Sequence, residues 1–192
     1  METRNYSKIY RIMHWAIALS FMLLLITIFL RLTWMNKNNV AEIIQNFVKD
    51  NNLVLTQDQS IILAKKIRKP MWDWHIYMGY VLTGLFVIRL LLPMFGEMKF
   101  QNPLAEHQSG KDKFKKWTYI IFYICVITSL VTGLFLMFGP ESLEHTMEDI
   151  HVLGLYYLIP FMVVHIVGIL IAEFTEQKGI ISRIVSGFKA KE

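Results

Sequence analysis

Four stretches of this 192-residue chain are each long and apolar enough to cross a lipid bilayer as a helix. A helix that spans a bilayer needs about 20 predominantly apolar residues. The stretches that meet this requirement are residues 12–32, 75–92, 117–138 and 150–172. The sequence therefore predicts an all-α integral membrane protein, in which residues 1–192 form a single domain built as a four-helix bundle.

The composition fits a membrane protein and excludes several kinds of site. Hydrophobic residues make up 54% of the chain and charged residues 18%, whereas a soluble domain carries about 25% charged residues. The single cysteine, Cys125, excludes an internal disulfide, a cysteine-rich zinc or iron–sulfur site, and haem attached through a C-x-x-C-H motif. The net charge of +5 does not indicate nucleic acid, because the basic residues flank the apolar stretches. The expected partner of this surface is a lipid bilayer.

The lysines and arginines beside the spans predict the orientation of the chain, because cytoplasmic flanks carry an excess of these residues. Twelve lie in the N-terminal segment, the connection between spans two and three, and the C-terminal tail, which share one side of the membrane. Six lie in the first connection, and the third connection has none but four acidic residues. Both termini are therefore predicted to be cytoplasmic.

The first connection, residues 33–74, is too long for a simple turn, and its apolar residues recur at helical spacing. Thr56 followed by Gln59 has the pattern of a capping box that opens a helix. The pattern predicts two short amphipathic helices on the outer membrane surface, the second of which ends at Pro70. Spans one and two are thus expected to be joined by a partly helical outer insertion.

Six histidines occur, and four of them lie inside or at the edge of a predicted span. The other two, His107 and His145, lie in connections and are expected to be solvated. Ionisable residues within spans are energetically costly and by default functional, and they face the interior of the bundle. A lone histidine in a span is compatible with a structural role, whereas four in one short chain indicate a binding function. The four are His14, His75, His151 and His165.

The predicted topology places these histidines at two depths. His14 lies near the cytoplasmic end of span one, and His75 lies at the outer end of span two. His151 lies at the outer end of span four, and His165 follows fourteen residues later on the same helix face, about 21 Å deeper. The depths pair His75 with His151 on the outer side, and His14 with His165 on the inner side. Each pair offers two imidazole nitrogens to one metal ion.

The ligands of each pair suit the iron of a porphyrin better than they suit zinc. Structural zinc requires four protein ligands, and no Cys, Asp or Glu accompanies either pair within the spans. Haem iron requires only two axial ligands from the protein. Gly79, Gly154 and Gly168 each remove a side chain about one turn from a candidate ligand, where the edge of a haem has room. Ordinary packing of helices on small residues explains these glycines equally well.

Basic residues near the candidate ligands are suited to the carboxylates of haem. Arg11 precedes His14 by about one turn, and Arg89 follows His75 by fourteen residues, which places it at the inner depth. The candidates for the outer haem are Arg31, Arg68 and Lys69. Snorkelling of long basic side chains to the membrane surface is the alternative explanation for all five residues.

Three motifs accompany the histidines: R-I-M-H-W at span one, W-H-I-Y-M-G at span two, and H-x13-H in span four. With these motifs the chain resembles the di-haem b-type cytochromes, a family that includes bacterial cytochrome b561 and the cytochrome subunits of nickel–iron hydrogenases and formate dehydrogenases. The resemblance covers residues 9–172. It implies that His14 and His165 ligate an inner haem and that His75 and His151 ligate an outer haem, in agreement with the pairing by depth. The long first connection departs from the family pattern.

The expected function is transmembrane electron transfer through two bis-histidine haems b. Because both axial positions are filled, oxygen activation at the iron is not expected. The resemblance implies a link to the quinone pool and a place in the bacterial inner membrane. It also implies a role as a stand-alone cytochrome, a quinone-linked oxidoreductase, or the membrane subunit of a dehydrogenase or reductase.

Two alternatives stay open at this point. One is a superoxide- or quinol-oxidising cytochrome, because the K-K-I-R-K-P run from Lys65 to Pro70 is suited to draw a small anion towards the outer haem. The polar face of a surface helix is the simpler explanation of that run. The other alternative, from a different class, is a non-haem transporter or assembly protein with structural histidines.

Reporter fusions test the predicted orientation. Fusions at His107 and Glu192 should report a cytoplasmic location, and fusions at Asn51 and Glu144 should report the opposite side, because the basic flanks lie beside the first pair. A C-terminus outside the cytoplasm would contradict the pairing by depth, since His14 and His165 match only if an even number of crossings separates the termini.

Overall fold

The computed structural model describes residues 6–100, 102, 104, 109–175 and 177–187. This part of the chain is helical and contains no strand, which confirms the all-α prediction. Its α-helices are α1 (Lys8–Leu32), α2 (Lys37–Asp50), α3 (Gln57–Leu91), α4 (Gly110–Phe138), α5 (Glu144–Val152), α6 (Gly154–Phe174) and α7 (Ile180–Val185). Short 3₁₀ helices, Leu92–Phe95 and Glu141–Leu143, follow α3 and precede α5.

The described chain contains four helical segments with the length and hydropathy of membrane spans. They are Lys8–Leu32, Gln57–Phe95, Gly110–Phe138 and Glu141–Phe174. Many of their large apolar side chains are exposed, among them Phe29 (62%) and Ile121 (56%). Apolar faces of this extent are stable only against lipid or another apolar surface. The four predicted spans are therefore confirmed, and the chain is a multi-pass membrane protein.

The prediction that a helix ends at Pro70 is wrong. α3 runs through Pro70 without interruption, so the second helix of the insertion and span two form one helix of 35 residues. A proline removes one backbone N–H and its ring crowds the carbonyl four residues earlier, but a long helix can bend at this point and continue. The ion pair between Lys69 and Asp73, at 2.8 Å, supports the turn that contains Pro70.

Span four is also different from the prediction, because it contains two helices rather than one. α5 and α6 meet at Leu153, whose N–H donates to Ile150 O (3.2 Å) and whose carbonyl accepts from the Tyr156 N–H (3.0 Å). These bonds have the tighter 3₁₀ spacing, and the glycine that follows Leu153 has a low helix propensity. His151 and His165 therefore lie on successive helices and not on one continuous helix face.

The chain divides into two compact units, one of which is His14–Ile88. In this unit α2 packs on the first part of α3 through a small core that includes Ala41 and Ala64. The Thr56 N–H donates to Gln59 Oε1 (2.9 Å), and the Gln59 N–H donates to Thr56 Oγ1 (3.2 Å). This reciprocal pair confirms the predicted capping box at the start of α3.

The other unit comprises the described residues of Met1–Met13 and Arg89–Glu192. Here α4 packs against both α5 and α6. Phe122 of α4 stacks on Phe161 of α6, with 3.6 Å between the ring centroids. α4 is thus the helix against which both parts of span four are positioned.

Candidate functional site

The four span histidines are all partly buried. Three of them place Nδ1 within hydrogen-bond distance of a polar group on another helix of the same unit. A histidine that ligates a metal usually bonds its second ring nitrogen in this way, which fixes the ring and leaves the other nitrogen for the metal. The hydrogen-bond partners of each ring therefore indicate which of its nitrogens carries the lone pair that can bind a metal.

His75 of α3 lies beside Thr27 of α1, with 2.8 Å between Nδ1 and Oγ1. The Thr27 hydroxyl donates to the Leu24 carbonyl at 2.6 Å, and a hydroxyl has only one hydrogen to donate. With that hydrogen engaged, the hydroxyl accepts from His75 in the tautomer that has the ring proton on Nδ1 and the lone pair on Nε2. Thr27 follows His14 by thirteen residues, about 20 Å along α1, so His14 and His75 lie at different depths of this unit.

The face of the His75 ring is covered by Trp72. The two rings are parallel within 1°, and their centroids are 4.6 Å apart. The same indole contacts the guanidinium of Arg31, whose Cζ is 4.3 Å from the ring centroid. His75 is thus fixed by a hydrogen bond in the ring plane and by an aromatic contact on its face.

His151, at the end of α5, bonds to α4. Its Nδ1 is 3.0 Å from the Ser129 carbonyl and 3.2 Å from the Thr132 hydroxyl. Because a carbonyl oxygen only accepts, Nδ1 carries the proton in this contact and Nε2 carries the lone pair. Gly133 makes room for this ring, since a Cβ at that position would lie 2.9 Å from His151 Cε1. Gly133 gives no signal in the sequence, because nothing there indicates that the two residues touch.

His165 lies beside Tyr119 of α4, with 3.2 Å between Nδ1 and the phenol oxygen. Its ring stacks on Phe161, with centroids 5.7 Å apart and planes 13° apart. Thr132, the neighbour of His151, follows Tyr119 by thirteen residues, about 20 Å along α4. This unit therefore also contains its two histidines at different depths.

His14 lies in α1 and makes an edge-to-face contact with Trp15, with ring centroids 5.7 Å apart. His14 and His75 belong to one unit, and His151 and His165 belong to the other. The sequence pairs His14 with His165 and His75 with His151. The pairing itself stays a prediction.

Two of the cations assigned to haem carboxylates have an unsatisfied donor. Arg89 is 8% exposed, and its Nη1 has no hydrogen-bond partner among the described residues, as is also true of Arg11 Nε. The Arg89 guanidinium lies over Phe100 (4.9 Å) and Tyr123 (5.3 Å). A buried guanidinium with a free donor favours an anionic acceptor. Arg183 of α7 is similar, being 5% exposed with an unpartnered Nε, and its place beyond the last span gave no signal in the sequence.

The three glycines predicted beside the haems have different surroundings. A Cβ at Gly79 or Gly168 would meet no heavy atom of the described residues within 4 Å, so open space lies beside both positions. A Cβ at Gly154 would lie 2.9 Å from Ser129 Oγ. Gly79 and Gly168 thus leave space in which a ring edge fits, whereas Gly154 serves close packing of helices.

The other two histidines of the chain, His107 and His145, are not among the four candidate ligands. The side chain of His145 is 92% exposed and lies 3.1 Å from Asp149, which confirms a solvated position. His107 lies outside the described residues. Within the described ranges, no group of three or more His, Cys, Asp or Glu side chains could bind a metal ion. Haem iron takes most of its ligands from the porphyrin and does not need such a group.

Comparison with known proteins gives one match. The family model described as prokaryotic cytochrome b561 matches residues 5–187, nearly the whole chain. No curated protein and no solved structure matches.

Replacing Gly133 by alanine tests the close approach between Gly133 and the His151 ring. The added methyl group would displace the ring from the Ser129 carbonyl, so we expect Gly133→Ala to lose about half of the bound haem or to convert it to a high-spin form. Alanine strengthens a helix relative to glycine by about 1 kcal/mol, so weakening of α4 does not explain such a loss. Haem content per chain and the visible spectrum measure it.

Gly110→Ala, in the first turn of the same helix, is the matched control because its Cβ would meet no described atom within 4 Å. Equal haem content and equal spectra for Gly133→Ala and Gly110→Ala would show that the position of His151 does not matter for the cofactor.

Proposed function

We propose that this chain, which belongs to the prokaryotic cytochrome b561 family, transfers electrons across the membrane between two haems b. Membership in the family makes the chain a membrane b-type cytochrome. Our inference concerns the number of haems and their ligands: His75 with His151 for one, and His14 with His165 for the other.

The observation that carries this proposal is the arrangement of the Nδ1 atoms. Those of His75 and His151 lie within hydrogen-bond distance of oxygen atoms of a neighbouring helix, an arrangement in which Nδ1 carries the ring proton and Nε2 carries the lone pair that can ligate iron. The thirteen-residue separations along α1 and α4 support two sites at different depths.

The residues present fit a haem in three respects. Each predicted site offers two imidazoles and no further metal ligand, which matches the two axial positions of a porphyrin iron. The unpartnered donors of Arg11 and Arg89 are suited to propionate carboxylates. A Cβ at Gly79 or Gly168 would meet no described atom within 4 Å, so neither position obstructs the edge of a ring.

In this proposal the chain positions and insulates its cofactors. Haem b, when bound, supplies a one-electron couple at each depth. The four histidines would hold the two haems through their imidazoles, and two protein ligands for each iron would leave no position open to oxygen or water. Thr27 and Ser129 keep the ligand nitrogens of His75 and His151 oriented by accepting from Nδ1, which also makes these imidazoles stronger donors to iron.

The partners follow from the family rather than from any contact in the chain. We infer exchange with quinone or quinol, residence in the bacterial inner membrane, and a role either as a stand-alone cytochrome or as a membrane subunit of a dehydrogenase or reductase. Membership in a cytochrome family counts against the non-haem transporter or assembly protein. The superoxide- or quinol-oxidising cytochrome is a variant of the same electron-transfer function.

Single histidine variants test the ligand pairs. His75→Ala and His151→Ala should each remove the same spectral component, and His14→Ala and His165→Ala should remove the other. Each variant should retain about one haem per chain, because losing one axial ligand opens that iron without touching the second site. Redox titration followed in the visible spectrum resolves the two components.

His145→Ala is the matched control, because this histidine is exposed and belongs to neither pair. It should keep both components. If His75→Ala and His14→Ala deplete the same component while His151→Ala depletes the other, the proposed pairing is wrong.

A further inference from the structure

Four cations line one surface pocket in the unit His14–Ile88. The pocket has a volume of about 360 Å³ and lies where the end of α1, the start of α2 and the first part of α3 meet. Its lining residues are Arg31, Leu32, Asn36, Lys37, Lys65 and Arg68. None of these residues is acidic, so the pocket gathers four positive charges with no carboxylate in its lining.

The like charges are not neutralised by a nearby acid of this unit. The neighbouring Lys69 is paired with Asp73 at 2.8 Å and does not line the pocket. The Arg68 guanidinium makes a long contact of 3.4 Å with the Met35 carbonyl, and Arg31 lies over the Trp72 ring. Each guanidinium has five N–H donors, so most of them remain available to a ligand. Four converging cations repel one another unless an anion binds between them.

The backbone of α2 adds to this attraction. α2 begins at Lys37, and its N-cap residue Asn36 lines the pocket. The first turn of a helix presents unsatisfied N–H groups and a partial positive charge, which favour an oxyanion such as phosphate. The Asn38 N–H already donates to Asn36 Oδ1 (3.0 Å), so the contribution of α2 is chiefly the positive end of its dipole.

One wall of the pocket is apolar and continues along a membrane span. Leu32, the last residue of α1, is 59% exposed, and Phe29, one turn earlier on the same helix, is 62% exposed. Trp34, just beyond the end of α1, is 76% exposed, as suits a residue at the membrane surface. A ligand with an anionic head and an apolar tail contacts the cations and this helix face at the same time.

We propose that the pocket is a binding site for the phosphate group of an anionic phospholipid, whose acyl chains lie along the exposed face of α1. The cations converge at the depth where a span ends and lipid headgroups begin. A free phosphate ion would match the cations but not the apolar wall. No candidate haem ligand lines the pocket, but Arg31 and Arg68 are also the cations that the sequence suggested for the outer haem carboxylates, so haem content has to be measured together with lipid binding.

Native mass spectrometry of the full chain in detergent tests the site, with phosphatidylglycerol as the probe. Lys37→Gln combined with Lys65→Gln removes two of the four charges at exposed positions where folding does not depend on them. We expect the affinity for phosphatidylglycerol to fall about 30-fold, from the typical contribution of a lysine at a membrane surface. Lys49→Gln combined with Lys66→Gln is the matched control, since it removes the same charge from the same insertion but outside the pocket.

Retention of the lipid by the control and its loss from the pocket variant would support the proposal. Equal affinities in the two variants would overturn it. Displacement of the lipid by millimolar inorganic phosphate, with equal affinity for the free ion, would show that the acyl chains contribute nothing and would overturn the lipid assignment. Haem content is measured on the same samples: if the pocket variant loses haem rather than lipid, these cations serve the haem carboxylates and the proposal is wrong.

Discussion

The hydrogen bond at Nδ1 is the interaction on which the candidate sites depend. An imidazole inside an apolar helix loses its contacts with water, and this loss is costly unless the protein replaces them. In this chain the replacement comes from the neighbouring helix: a threonine hydroxyl for His75 and a backbone carbonyl for His151. The Ser129 carbonyl can only accept, and the Thr27 hydroxyl has its own hydrogen engaged with the Leu24 carbonyl, so both contacts favour the tautomer with the proton on Nδ1. The same bond lowers the cost of burial and places the lone pair on Nε2.

This interaction also explains local details of the helices around the histidines. The Thr27 hydroxyl has to lie beside His75 of α3 while it donates its hydrogen to the Leu24 carbonyl of its own helix. Gly133 has to lack a side chain, since any Cβ would enter the space of the His151 ring. The break between α5 and α6 comes two residues after His151.

Much of the architecture was predictable because it rests on strong, local patterns. Four apolar stretches of bilayer length specify four spans whatever their packing, and Thr56 with Gln59 specifies a helix start because both bonds form within four residues. The errors arose where two local signals compete. Pro70 usually ends a helix, but α3 continues because the helices on both sides have strong patterns of their own. The irregularity at Leu153 depends on a balance between α-helical and 3₁₀ bonds that an apolar pattern does not reveal.

The candidate ligands were predictable for a different reason. Histidines are rare in spans, so their positions alone carry information. Their supporting residues are ordinary: Thr27, Ser129 and Gly133 resemble many other small residues in membrane helices. Their role appears only when the fold places them beside a ring, and no periodicity in the sequence specifies such contacts. Arg183 belongs to the same class, because its burial depends on how the C-terminal helix lies against its own unit.

The central claim is that four histidines ligate two non-covalent haems, and the haem stoichiometry of the purified chain tests it most directly. A pyridine haemochrome assay combined with quantitative amino-acid analysis gives the number of haems per chain. The account predicts about two haems b, both extracted by acidified acetone, because Cys125 is the only cysteine and no C-x-x-C-H motif exists. A single haem per chain in a preparation saturated with added haem, or haem that resists extraction, would contradict it.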